Sequence, residues 1–338
     1  MIVSNLTTQN SLQLQQCARE ERKGARRSVN FAGGLVFASI ALMYGIQIVL
    51  NLVLQLNGAL GGSNSILLEY LSSCISYLFL ALIPIAYALA GREPADQLLP
   101  FQKPQTVGLT NGDLLLLGAV GMALTLASNY PTELVRMLQQ AFGFSGNIPD
   151  MPLNHSIGTQ VFYLIYGTVI PPLVEEILFR GVVIGCLQRW GDWFAIVTSA
   201  LLFGLYHGNV GQFVFATLVG LIFGYLRIRT QSLLPGMVLH MLNNGFATLG
   251  TVITQNFGSH VSNIYFLTYF TVFYGAAALL IVFRLFTKGT KSFANLKIPY
   301  RRMASTLAAR VRGLVTSFGG IAMLAYGAIL SVIVLVRS

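Results

Sequence analysis

The sequence predicts an all-α fold: a polytopic transmembrane helical bundle of about eight to nine spans with a cytoplasmic N-terminus. Composition is the first reason. Hydrophobic residues make up 54% of the chain and charged residues 9%, whereas a soluble domain carries charge on roughly a quarter of its residues. Second, apolar stretches of about 18–25 residues recur along the chain, each long enough to cross a bilayer core. Third, Lys and Arg concentrate in alternate connections, as they do when retained on one side of a membrane.

Residues 1–30 form a polar tail with Arg19, Arg22, Lys23, Arg26 and Arg27 ahead of the first apolar run. A secretory signal would instead place a short apolar stretch and a cleavage site after a short charged region. Apolar segments follow at roughly 31–56, 64–90, 112–129, 157–188, 193–208, 210–227, 232–250, 262–285 and 313–336. The fourth contains Pro171-Pro172, where a missing donor and a clash with the preceding turn predict a kink or a fresh helix start. The fifth and sixth nearly touch at His207-Gly208-Asn209. Residues 131–144 read as a short helix at the outer interface. Arg92 and Lys103, Arg189, Arg227 and Arg229, and the run from Lys288 to Arg312 mark one set of connections. The other set, 57–63, 208–210 and 251–261, has no Lys or Arg, and 130–156 has only Arg136. Nine passes satisfy that alternation. The chain then divides into a basic cytoplasmic tail (1–30), N-terminal spans (31–156), a core that gathers polar side chains (157–250), and C-terminal spans (251–338). The last part contains a basic cytoplasmic loop, 286–312, placed on the anionic inner leaflet.

The formal charge is +10. The basic residues lie between apolar runs without aromatic interleaving, so membrane lipids are the expected partner and nucleic acid is not. Cys17, Cys74 and Cys186 are far apart and show neither CxxC nor zinc-type spacing, which argues against a disulfide framework. Trp190 and Trp193 flank a membrane boundary and read as interface anchors. The expected location is the cell membrane, as a multi-pass protein.

Polar residues inside the apolar segments are few and therefore informative, because a carboxylate in hydrocarbon costs about 3 kcal/mol or more. Glu175 and Glu176 stand side by side in Pro-Pro-Leu-Val-Glu-Glu-Ile-Leu-Phe-Arg-Gly. Glu176 and Arg180 are four apart, share a helix face and have the favourable acid-before-base order. Glu175 lies about 100° around the helix, free for another task. Phe203 and His207 are four apart, as are His240 and Asn244. Measured from Arg189, Asp192 and Arg229 at the basic side, Glu175, His207 and His240 lie about 16–22 Å deep at 1.5 Å per residue. They can meet in one intramembrane pocket, expected to open to the cytoplasm. A carboxylate and an imidazole can hold and deprotonate water, while a second imidazole and an amide can donate to an oxyanion. Alternatively Glu175, His207 and His240 can ligate zinc, leaving water as the open ligand. Gly204 and Gly208, beside His207, can make room for substrate.

Glu-Glu-x-x-x-Arg (175–180), Phe-x-x-x-His (203–207) and His-x-x-x-Asn (240–244) resemble the three motifs of the CPBP family. That family comprises type II CAAX prenyl endopeptidases, bacterial Abi proteins and bacteriocin-immunity or processing homologues. The resemblance covers about residues 157–250, making that stretch a CPBP-like catalytic core. It implies an intramembrane endopeptidase acting on membrane-associated, prenylated or secreted peptides. Glu175 and His207 would activate water, His240 and Asn244 would form the oxyanion site, and Glu176, Arg180 and Phe203 would support them. No cofactor is required on that reading, with zinc as the alternative. The second reading is a non-catalytic immunity or scaffold protein that binds a peptide or protein partner.

Overall fold

All nine apolar segments fold as helix in the computed structural model, which describes residues 2–58, 65–91, 93–104, 108–144, 153–298 and 302–337. Arg92 and Arg301, both part of the charge pattern, lie outside the described residues. The helices are α1 (Ile2–Leu56), α2 (Ser65–Leu89), α3 (Ala95–Leu98), α4 (Asn111–Ala127), α5 (Asn129–Ala141) and α6 (Ile157–Glu175). A π-helical stretch, Glu176–Val183, leads into α7 (Ile184–Gln188), α8 (Asp192–Tyr206), α9 (Val210–Thr230) and α10 (Leu234–Lys288). A 3₁₀ turn (Thr290–Leu296), α11 (Leu307–Val311), α12 (Gly313–Thr316) and α13 (Phe318–Arg337) complete the fold. No strand occurs among the described residues.

Among the described residues, six helices are long and apolar enough to cross a membrane: Asn10–Leu56, Ser65–Leu89, Asn111–Ala141, Val210–Thr230, Leu234–Lys288 and Phe318–Leu335. That is fewer than nine for identifiable reasons. α8 has only 15 residues. The 157–188 segment is divided by the π stretch. α10 holds two apolar segments in one continuous assignment, broken at Gly258, whose φ of 79° only glycine adopts readily. Its halves pack antiparallel: Tyr265 donates to the Phe246 carbonyl and Tyr269 to that of Leu242.

Local chemistry explains several ends. Thr110 and Asp113 form a reciprocal capping box at the start of α4, and Arg284 from α10 neutralises Asp113. Asn209 caps α9 by accepting from the Gln212 N–H at 2.8 Å. α6 runs through both prolines, so the expected break is replaced by the wider π turn immediately after them. π stretches of this kind recur at functional sites. α5 is the short helix expected near 131–144, with Tyr130, Leu134, Met137, Leu138 and Phe142 exposed.

The main core joins α1, α2, the π stretch, α7 and α8 through residues such as Val36, Leu80, Phe179, Ile184, Phe194 and Phe203. Trp190 does not act as a free anchor. It is wedged on α1, donating to Ser28 at 2.8 Å against the bare face of Gly24. Trp193 is exposed as expected. The three cysteines are free thiols.

Candidate active site

The π stretch delivers Glu176 and Arg180 into the protein interior, at 0% and 1% exposure. Arg180 Nη1 lies 3.1 Å from Glu176 Oε1, the pairing their spacing anticipated. The guanidinium is sandwiched by the Phe203 ring at 4.2 Å and the Phe223 ring at 5.4 Å. Two ring faces and a carboxylate compensate a cation that water no longer solvates. Gly236 makes this possible, because a Cβ there would stand 3.0 Å from Glu176 Oε2.

Glu175 is 3% exposed and points the other way, as the helix geometry required. Its Oε1 accepts from the Tyr77 hydroxyl at 2.6 Å, and the Tyr206 hydroxyl donates to Tyr77 at 2.5 Å. His240, 5% exposed, lies between the two acids. Its Nδ1 is 3.1 Å from Glu176 Oε1 and its Nε2 is 3.6 Å from Glu175 Oε2. His207 hydrogen-bonds the Phe203 carbonyl through Nδ1 at 2.9 Å. A carbonyl only accepts, so Nδ1 carries the proton and, in the neutral ring, Nε2 is left to accept. Asn244 Oδ1 accepts from Asn243 Nδ2 at 3.3 Å, which leaves the Asn244 amide protons to serve the cavity.

Glu175, Phe203, His207, His240 and Asn244 all line one cavity of about 640 Å³. Phe203 stands between the two imidazoles, with ring centroids 4.8 Å from His207 and 6.0 Å from His240. A second cavity of about 560 Å³ lies against α1 and α2, and Tyr166, His207 and Gln212 line both.

The first cavity reaches Asn129, Thr132 and Thr251, and the second reaches Asn51 and Glu69. These residues lie at the helix ends that carry the base-poor connections. Toward the basic end, Leu99, Leu173, Ile177, Leu233 and Met237 pack together, with Leu98 packed over Gly181 and Gly185. Hydropathy placed the polar residues at a common depth but carried no information on which helix ends the cavities approach.

Two differences concern individual residues. His240 faces both acids, so it is their partner as well as a candidate donor to substrate. Gly204 and Gly208 give no room to substrate: Gly204 packs on Thr217 and Phe213, and Gly208 on Leu330. Among the described residues, no three His, Cys, Asp or Glu side chains gather as a metal-holding group. Sequence reasoning missed Tyr77 and Tyr206. The available signal was a polar stripe on α2 (Glu69, Ser72, Ser73, Ser76, Tyr77) at helical spacing.

Residues 157–246 match the family model described as type II CAAX prenyl endopeptidase Rce1-like. The candidate membrane peptidase YdiL of Bacillus subtilis (strain 168) is 28% identical over 87 residues, which cover 25% of this chain and 36% of that protein. The chain therefore matches little more than a third of that relative's length. No solved structure matches the chain. The matched segment contains every motif residue named above, from Glu175 to Asn244. The helices mark a multi-pass membrane protein, and its segment 157–246 is similar to the Rce1-like type II CAAX prenyl endopeptidases.

Proposed function

We propose that this protein is an intramembrane endopeptidase that hydrolyses peptide bonds with a water activated by Glu175 and His207. The observation that carries the reading is the shared cavity: Glu175, His207, His240 and Asn244 come from three helices and face one space. Glu175, fixed by Tyr77, holds the water beside the bare Nε2 of His207. As the water attacks the scissile carbonyl, its proton passes to this pair and then to the leaving nitrogen. The Asn244 amide and the His240 ring donate to the oxyanion that forms. Glu176 and Arg180 hold His240 and the helix in place without touching substrate. No step is routed through a metal.

The chain would cross the membrane nine times with its N-terminus in the cytoplasm, because the basic connections share one end. Both cavities would then receive substrate from the opposite, outer side. Secreted or membrane-associated peptides fit that approach better than a cytoplasmic lipidated chain end. The deciding experiment uses protein purified in detergent and a panel of quenched fluorescent peptides. Glu175→Ala and His207→Ala are expected to abolish cleavage while the thermal transition is retained. Turnover remaining in either would rule out the mechanism. The second reading, a binding or immunity protein, is favoured instead if Glu175→Gln preserves a cellular phenotype that the deletion loses.

A further inference from the structure

The two cavities that meet at His207 differ in chemistry. The larger one, beyond Glu175 and His240, is walled by Tyr163, Phe215, Val219, Phe246, Phe266 and Phe270. The other is walled by Gln47, Asn51, Glu69, Ser73, Ser76 and Tyr77. Its amides and hydroxyls are partly tied to one another: Ser76 donates to Gln47 Oε1 at 2.5 Å, and Gln47 Nε2 donates to Asn51 Oδ1 at 2.8 Å. Glu69 is the one carboxylate lining it, is exposed at its mouth, and has no ion-pair partner among the described residues. The neighbouring connection, 57–63, contributes no basic residue. The polar cavity therefore ends in an unneutralised acid.

An endopeptidase must hold the chain on both sides of the bond it cuts. Resting on the protease reading, the scissile bond lies where Glu175 and His207 face each other, and one cavity extends to either side. We propose that the Gln47–Asn51–Glu69–Ser73 cavity is a substrate subsite for a cationic peptide segment, with the apolar segment of the same peptide in the aromatic cavity. The cation is a Lys or Arg side chain or a free N-terminal ammonium. All share an affinity for a carboxylate at the end of a hydrogen-bonding channel. The subsite belongs to α1 and α2, outside the matched 157–246 segment, so it would set what this particular chain accepts.

The test is equilibrium binding of fluorescent peptides to the full-length Glu175→Gln protein in detergent, read by anisotropy. Each peptide joins an apolar half to a half bearing Lys, Ser or Glu. The Lys peptide is expected to bind tighter than the Glu peptide, with the Ser peptide between. Glu69→Gln should weaken the Lys peptide by about fivefold, the scale of one partly exposed ion pair. Glu69→Lys should reverse the order of the Lys and Glu peptides. N-terminal acetylation, or norleucine in place of Lys, separates the two sources of the cation: whichever change abolishes the preference names it. An unchanged peptide order in all three proteins overturns the proposal. Charge-dependent binding without any cleavage by the unmodified protein would sink the protease reading and leave the subsite standing. Cleavage without Glu69-dependent preference would do the reverse.

Discussion

Tyr77 donates its hydroxyl to Glu175 Oε1 at 2.6 Å across 98 positions of sequence. This contact joins α2 to the motif helix and fixes one oxygen of the acid, while the other faces His240 Nε2 at 3.6 Å. Tyr77→Phe is expected to keep the fold and lower kcat by about 10- to 100-fold, the scale of one hydrogen bond to a charged group. KM should move little. Steady-state kinetics with a thermal melt separates this from a folding defect. An unchanged kcat would show that the hydroxyl does not position the acid.

The two adjacent acids should fail differently. Glu175→Gln is expected to remove turnover with little change in stability. Glu176→Gln leaves Arg180, 1% exposed, without its counter-charge. Breaking a buried pair from one side costs about 3–5 kcal/mol. Loss of thermal stability in Glu176→Gln, relieved in the Glu176→Gln/Arg180→Met double variant, checks the assignment.

Gly236→Ala would place a methyl group 3.0 Å from Glu176 Oε2. The carboxylate must shift, and with it the His240 contact at 3.1 Å. Overpacking of this kind costs about 1–3 kcal/mol. Reduced activity together with a lower melting temperature is the expected result. Gly34, with no atom within reach of an added Cβ, provides the control: Gly34→Ala should be silent.

The metal-free reading predicts that cleavage survives exhaustive chelation and that purified active protein carries no stoichiometric transition metal. Elemental analysis beside activity in chelator is the measurement. Activity lost on chelation and restored by zinc would replace the direct mechanism with a metal-assisted one.

Sidedness can be read with thiol labelling. In a variant lacking Cys74 and Cys186, an impermeant maleimide should reach Cys17 from the cytoplasmic side only. A cysteine at Asn51 or Thr251 should be labelled from the outer side only. Labelling of all three from one side would reverse the proposed substrate approach.

Much of this arrangement was legible in the residues. Glu176 and Arg180 announced their pairing by spacing, because four residues on a helix return to one face. His207 and His240 stood out because hydrocarbon tolerates few polar groups. Thr110 and Asp113 are a capping box visible by eye. The illegible parts depend on the third dimension. Tyr77 is an ordinary amphipathic residue until α2 packs beside the π stretch. The π turn itself follows two prolines that argued for a break. Gly204 sits beside His207 in sequence, yet its bare face is used by α9. The packing of Leu98 and Leu99 against Gly181 and Gly185 comes from a connection that periodicity leaves undescribed.

That apolar packing has a physical consequence. A hole that admits water deep into a bilayer invites protons and ions to follow, dissipating the gradients the membrane maintains. Here Arg180 lies between Phe203 and Phe223, and Leu233 and Met237 pack in a neighbouring apolar cluster. A charge-paired, ring-covered layer of this kind is a poor path for water or ions beside a polar cavity.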